Sequence, residues 1–166
     1  MRILRAGVPA EDDWVLAGEG PRQTPPRGRI IVPLEHWREH RAHLLAGGAE
    51  VGVLVPNTLD IEAIHPLIAD RPLIALVFPS FSDGRALSQA VILRRRLKFR
   101  GELRAVGDII QDLVYWLDRC GFDAVVPRAD QDLEACARAR LELGAAYQGA
   151  ADGQTPVWIR RRAAPA

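Results

Sequence analysis

The sequence predicts an α/β fold, a mostly parallel open sheet of about five strands with helices on both faces, and two observations carry that prediction. Between residues 73 and 126, three short apolar runs (73–78, 103–106 and 123–126) alternate with two longer amphipathic runs. Strands alternating with helical patterns of this length form βαβ units, and so a parallel sheet. The second observation is size. A complete eight-stranded barrel usually takes ~200 residues or more, and this chain has 166. Periodicity does not separate an open sheet from a partial TIM-barrel-like βα array, because both bury their strands on both faces. The array stands as the alternative.

Residues 2–18 hold two short apolar stretches, Ile3-Leu4 and Trp14-Val15-Leu16, around the polar turn Pro9-Ala10-Glu11-Asp12-Asp13. This reads as a hairpin. Residues 18–29 have the composition of an exposed loop, so 1–29 is expected to be peripheral. Residues 30–32 read as a strand, 34–46 as a helix stopped by Gly47-Gly48, and 51–55 as a second strand. Residues 60–70 have helical character, although Pro66 predicts a break or a kink. Beyond the central stretch, residues 131–143 read as a helix and 145–148 as a last short strand. The segment 149–166, with Arg160, Arg161 and Arg162 near its end, is expected to be peripheral and frayed. The whole chain, 1–166, is read as a single α/β domain.

Helix 109–120 carries the clearest pattern. Ile109, Ile110, Leu113, Val114, Leu117 and Cys120 recur at helical spacing and make one apolar stripe. Asp108 and Gln111 stand where a capping pair would stand, and Gly121 where a left-handed C-terminal residue would.

Composition narrows the function classes. A net charge of +1 gives no electrostatic case for nucleic acid or an acidic membrane surface as partner. No run approaches the ~18 apolar residues of a membrane span. Cys120 and Cys136 form neither a disulfide framework nor a CxxC motif, which fits a reduced, cytoplasmic protein. There is no GxGxxG after a strand, no Walker A loop and no GxSxG elbow. Two cysteines cannot supply the four thiolates that usually hold an iron–sulfur cluster, so no cofactor is assigned.

In a parallel sheet the strand-to-helix turns gather at one edge, where ligands bind. Here those turns are 79–85, Gly107-Asp108 and 127–130. Ser82, Asp83, Gly84, Arg85, Ser88, Asp108 and Arg128, with Arg104 from the adjoining strand, therefore make up the candidate site. Asp83, Asp108 and Asp130 each precede a predicted helix, the place of an N-cap. Several helix N-termini on one edge also favour a small anionic ligand. Arg85 falls in a first helical turn, with Ser88 and Gln89 at i+3 and i+4 on its predicted face. Arg104 lies inside a strand, which predicts an ion pair, with Asp108 or Asp83, or an exposed edge. Were the protein an enzyme in its own right, Asp83 or Asp108 would be the general acid or base, and Arg85 and Arg104 the oxyanion clamps. His36, His40 and His43 share helical spacing, but Glu35, Arg38, Glu39 and Arg41 interleave with them, so that face reads as solvated and no metal is assigned. Cys120, on the apolar stripe, reads as a core thiol.

Four motifs carry a family resemblance: Phe78-Pro-Ser-Phe-Ser-Asp-Gly-Arg85 with Ser88; Gly101-Glu-Leu-Arg-Ala-Val-Gly-Asp108; Asp112; and Arg119-Cys-Gly-Phe-Asp123. Weaker similarity extends over Trp14, residues 30–37 and Ala146-Tyr147-Gln148. Together they resemble a bacterial family designated domain of unknown function 934 (DUF934). The resemblance implies a place in assimilatory sulfate and sulfite reduction, beside sulfite reductase or adenylyl-sulfate reductase as partner, and members carry the label of oxidoreductase. It supplies no catalytic residues. The expectation is an accessory or oxidoreductase component of that pathway, with an anion-binding crevice at the C-terminal ends of the strands.

Overall fold

The computed structural model describes residues 2–17, 28–141 and 146–163. In chain order its elements are β1 (Arg2–Arg5), β2 (Val8–Glu11), β3 (Trp14–Leu16), β4 (Arg29–Pro33), α1 (Leu34–Ala46), β5 (Glu50–Val55), α2 (Ile61–Ile68), β6 (Leu73–Phe78), α3 (Arg85–Val91), β7 (Glu102–Gly107), α4 (Val114–Cys120), β8 (Ala124–Val125), α5 (Leu133–Ala139) and α6 (Val157–Ala163). A π-helical turn, Ile92–Arg96, extends α3, and a 3-10 turn, Gln111–Leu113, leads into α4.

The eight strands form one sheet in the order β2-β1-β8-β7-β6-β5-β4-β3. From β3 to β8 neighbours are consecutive in sequence and parallel, whereas β1 is antiparallel to β8 and β2 to β1. The five expected strands are all present and parallel, but the sheet has eight. An order with no reversal has a second consequence. Right-handed crossovers then place every helix on the same side. Buried residues of α1, α2, α3, α4 and α5 accordingly pack in one cluster with Ile30, Val32, Val53, Val55, Ile74, Leu76, Phe78, Leu103 and Ala105, one parity of the strands. The opposite parity packs without any helix, as Trp14, Ile31, Leu73 and Ala75 with Leu54 and Val106. Helices on both faces, the doubly wound expectation, is thus corrected. The half-barrel alternative fits.

The hairpin expected between Ile3-Leu4 and Trp14-Val15-Leu16 is corrected. Pro9-Ala10-Glu11, read as part of its turn, lie in β2, which pairs with β1 through a turn at Ala6-Gly7, and all of these strands belong to the sheet. β2 lies at one edge and β3 at the other, yet only Asp12 and Asp13 separate them. Seven strand spacings laid flat would span about 34 Å, whereas the three Cα steps from Glu11 to Trp14 reach at most about 11 Å. The sheet must therefore curl until its edges approach. The face without helices becomes the inside of that curl.

Arg104 lies inside it, 1% exposed. Its guanidinium donates to both carboxylate oxygens of Asp12, at 2.7 and 3.0 Å, and to Glu102 at 2.8 Å. The side chain of Asp12 is fully buried. Arg5 stands 3.5 Å from Asp12 and 3.4 Å from Glu102. The expected ion pair exists, but its acids come from the bridge between β2 and β3 and from β7, and neither Asp83 nor Asp108 takes part.

Three local expectations also change. α2 runs through Pro66 without a break, its start capped by Asp60, whose carboxylate accepts from the Glu62 N–H at 2.9 Å. Burial of Ile61, Ile64 and Ile68 on one stripe outweighs the single backbone bond that Pro66 removes. Of the strand expected over 145–148, Ala145 lies outside the described residues and 146–148 form no strand. The expected frayed end holds α6, while the loop over 18–27 lies outside the described residues.

Candidate functional site

Parallel strands β5 to β8 all point their C-terminal ends to one edge, so the segments that follow them meet there. After β6 the chain turns through Pro79-Ser80-Phe81-Ser82-Asp83. The Asp83 N–H donates to the Ser80 carbonyl at 3.0 Å, and the Ser80 and Ser82 hydroxyls lie 3.0 Å apart. Gly84 is the residue before α3, with an ordinary φ of −79°.

Asp83 and Arg85 form a side-on pair. The Arg85 Nε donates to Oδ1 at 2.9 Å and its Nη2 to Oδ2 at 2.6 Å. These bonds, helped by the nearby Asn57 amide, hold the Asp83 carboxyl well below the usual carboxylate range, and Asp83 in turn raises Arg85. Arg85 remains 57% exposed on its side chain.

After β7, Gly107 adopts φ +109°, a conformation that only glycine takes without strain. A Cβ there would sit 2.3 Å from the Phe78 carbonyl oxygen. This tight turn aims Asp108 back across the edge. Its Oδ2 accepts from the Phe81 N–H at 2.9 Å, while its Oδ1 accepts from Arg128 Nη1 at 2.7 Å. Both bonds depress its pKa, the backbone one more strongly.

After β8, Arg128 also donates through Nε and Nη2 to Asp130, at 2.7 and 2.9 Å. Its guanidinium thus lies between two carboxylates and holds Asp130 down at about 2. Arg128 borders a hollow of about 300 Å³ lined also by Arg2, Val126, Pro127, Gln131 and Leu133.

The edge therefore gathers Ser82, Asp83, Arg85, Asp108, Arg128 and Asp130, linked by the Phe81–Asp108 bond. It does not gather Arg104, which is held inside the curl. Nor do Arg85, Ser88 and Gln89 form one polar group. Gln89 turns inward, 5% exposed, and its Nε2 donates to the carbonyls of Pro56 and Leu59. Ser88 borders a shallow groove with Leu87, Val91, Ile92 and Cys120. Of the three aspartates, Asp108 and Asp130 cap no helix, whereas Asp83, one residue before the cap position Gly84, accepts from the Arg85 N–H at 3.3 Å at the start of α3. The cap of α5 is Asp132, which accepts from the Ala135 N–H at 2.7 Å, and the residue capping the 3-10 turn is Ile110. The other half of the expected capping pair, Gln111, instead donates its N–H to Gln131 Oε1.

Asn57 joins the candidate site without any sequence motif to mark it. It follows β5 at the same edge, is 6% exposed, and its Nδ2 makes no hydrogen bond among the described residues. The one signal in the sequence is its position: Pro56-Asn57 lies in the strand-to-helix turn of β5, equivalent to the turns after β6, β7 and β8. Elsewhere, His36 and His40 lie 4.5 Å apart on α1, and burial pushes the Cys120 thiol up. Among the described residues no three His, Cys, Asp or Glu side chains gather as metal ligands, and no helix is long and apolar enough to cross a membrane.

These features define a class: an α/β protein whose singly wound, curled sheet presents a row of carboxylate-held arginines at the C-terminal ends of its strands. The chain belongs to the DUF934 family, described as bacterial proteins of unknown function, whose family model matches residues 52–158. The match takes in most of β5, all of β6 to β8 and the turns that follow them, and leaves out β1 to β4. A comparison with curated proteins found no match.

Proposed function

We propose that this protein is an accessory component of assimilatory sulfite reduction that binds a small oxyanion, or an oxyanion-bearing metabolite, at the strand-end edge. One observation carries the binding half. Each edge arginine is oriented by carboxylates and still has donors to spare. A guanidinium offers five N–H groups. Arg128 engages Asp130 through Nε and Nη2 and Asp108 through Nη1, three bonds in all, and Arg85 uses only Nε and Nη2 on Asp83. The unused donors of a guanidinium fixed in this way suit bidentate recognition of sulfate-like or phosphate-like groups. Arg128 is the stronger anchor, because it borders the hollow that also holds Arg2. The pathway, and docking on sulfite reductase or adenylyl-sulfate reductase in the cytoplasm, rest on the family resemblance.

The alternative, a stand-alone enzyme using Asp83 or Asp108 as general acid or base, is less well supported. A carboxyl in either role works best with its pKa near the operating pH, and both are lowered here. One of its two clamps, Arg104, is committed to Asp12.

The test is calorimetric titration with sulfate, sulfite and adenylyl sulfate, paired with growth of the host on sulfate as sole sulfur source. Arg128→Gln should weaken binding about tenfold or more, as loss of a charge-assisted bidentate contact does. Arg85→Gln should weaken it less, and melting temperature should hardly move in either variant. Failure of all three anions to bind, or full binding by Arg128→Gln, would remove the anion-site reading.

A further inference from the structure

The opposite edge of the sheet carries a feature that the strand-end site does not use. Between α3 and β7 the chain reads Arg94-Arg95-Arg96-Leu97-Lys98-Phe99-Arg100, five cations in seven residues. Its first part is the π-helical turn Ile92–Arg96, closed by a bond from the Leu97 N–H to the Ile92 carbonyl. Turns of this kind are rare and concentrate at functional positions. Lys98 then takes φ +57°, and the Phe99 N–H returns to the Leu93 carbonyl. Glycine normally fills such a helix-ending position. Elsewhere among the described residues the chain follows that rule at Gly48 and Gly121, and it breaks it here with its only lysine. A strained non-glycine residue is a reason to look for a role.

The five cations divide into two kinds. Arg94 is structural: it donates to the Gly121, Phe99 and Gly101 carbonyls and pairs with Asp123. Arg96 pairs with Glu62 at 2.9 Å. Arg95, Lys98 and Arg100 are exposed and have no acidic partner among the described residues. Phe99 between them is buried, so no aromatic face is offered for base stacking. The half-exposed Asp123 and Glu62 flank the turn and limit the positive footprint to a few residues.

We propose that Arg95, Lys98 and Arg100 form a docking surface for a short acidic segment of a partner protein. A brief run of Asp and Glu matches three free cations bounded by acids. A long polyphosphate backbone, which needs an extended basic track, does not. Placing the contact on the edge opposite the strand-end site leaves that site open while the partner is bound.

The experiment measures fluorescence anisotropy of a labelled twelve-residue Asp/Glu peptide, of a single-stranded twelve-nucleotide DNA, and of anionic phosphatidylserine vesicles, each titrated with the full chain. The peptide should bind best, and its affinity should fall as salt is raised from 50 to 200 mM. The triple variant Arg95→Gln, Lys98→Gly, Arg100→Gln should lose at least tenfold in peptide affinity. Lys98→Gly alone should lower peptide affinity and leave the melting temperature unchanged or higher, since it relieves the strained φ; this separates loss of docking from loss of fold. Arg128→Gln should bind the peptide normally. No peptide binding by the native chain, equal binding by the triple variant, or tighter binding of DNA or vesicles than of peptide would each overturn the proposal.

Discussion

Replacing Asp12 with alanine tests the account of the curled sheet most directly. Asp12 is the residue that bridges the two edges, and its carboxylate takes two bonds from the fully buried Arg104. Removing one partner of a buried ion pair costs ~3–5 kcal/mol, because the other charge stays buried without compensation. Glu102 still accepts from Arg104 at 2.8 Å, which places the expected loss near the lower end, about 3 kcal/mol. For a chain of this length each kcal/mol moves the melting temperature by about 2–4 °C, so the shift should be about 6–12 °C. Guanidinium denaturation and thermal melting measure both. The companion variant is Asp12→Leu with Arg104→Met, which replaces the pair with apolar groups of similar size. Such replacements are often neutral, so the double variant should be more stable than Asp12→Ala. A loss below about 1 kcal/mol for Asp12→Ala would refute the reading of Asp12 and Arg104 as an ion pair buried inside the curl. So would a double variant less stable than Asp12→Ala.

Two further outcomes follow from the strand-end edge. Asp130 titrates at about 2 in the folded chain against an ordinary value of 3.8; a depressed carboxyl contributes stability above its unfolded pKa that is lost as pH falls through the folded one, so this contribution should disappear between about pH 4 and pH 2. Carboxyl carbon NMR should show that midpoint and its rise toward 3.8 in Arg128→Gln, and an unchanged midpoint in the variant would contradict the pairing. Gly107→Ala should cost more than ~3 kcal/mol in denaturant, because the new Cβ meets the Phe78 backbone; near-native stability, with the Phe81 amide shift retained, would show that the turn does not depend on glycine.

Particular residues show how far the sequence was legible. The strands from β4 to β8 could be read because burial on both faces demands continuous apolar runs such as 73–78, and the helices because residues such as Val114 and Leu117 recur at helical spacing. The helix expected over 109–120 nonetheless starts only at Val114, since Ile109 and Ile110 still belong to the turn after β7 and Ile110 is extended. The strand-end location of the candidate site followed from parallel pairing alone. The left-handed Gly121 was legible too, since a glycine just past an apolar stripe has one common use. Pairings at that edge were not. That Arg128 lies between Asp108 and Asp130, and that Asp108 also bonds to Phe81, depends on the tight turn at Gly107 and the register of β7 on β8.

What the sequence determined by itself is the local layer: which segments are strands or helices, which residues are apolar enough to be core, and which turns follow the strands. These depend on the periodicity of neighbours a few residues apart, and that periodicity is written directly in the chain. What only the tertiary structure decided is the arrangement of that layer: eight strands where five were read, helices on one face, and the edges drawn together through Asp12 and Asp13. Arg104 shows why. Its partner Asp12 lies 92 residues away, and strand order, curl and long-range charge pairing are free energies of contacts between segments distant in sequence, which no local pattern records.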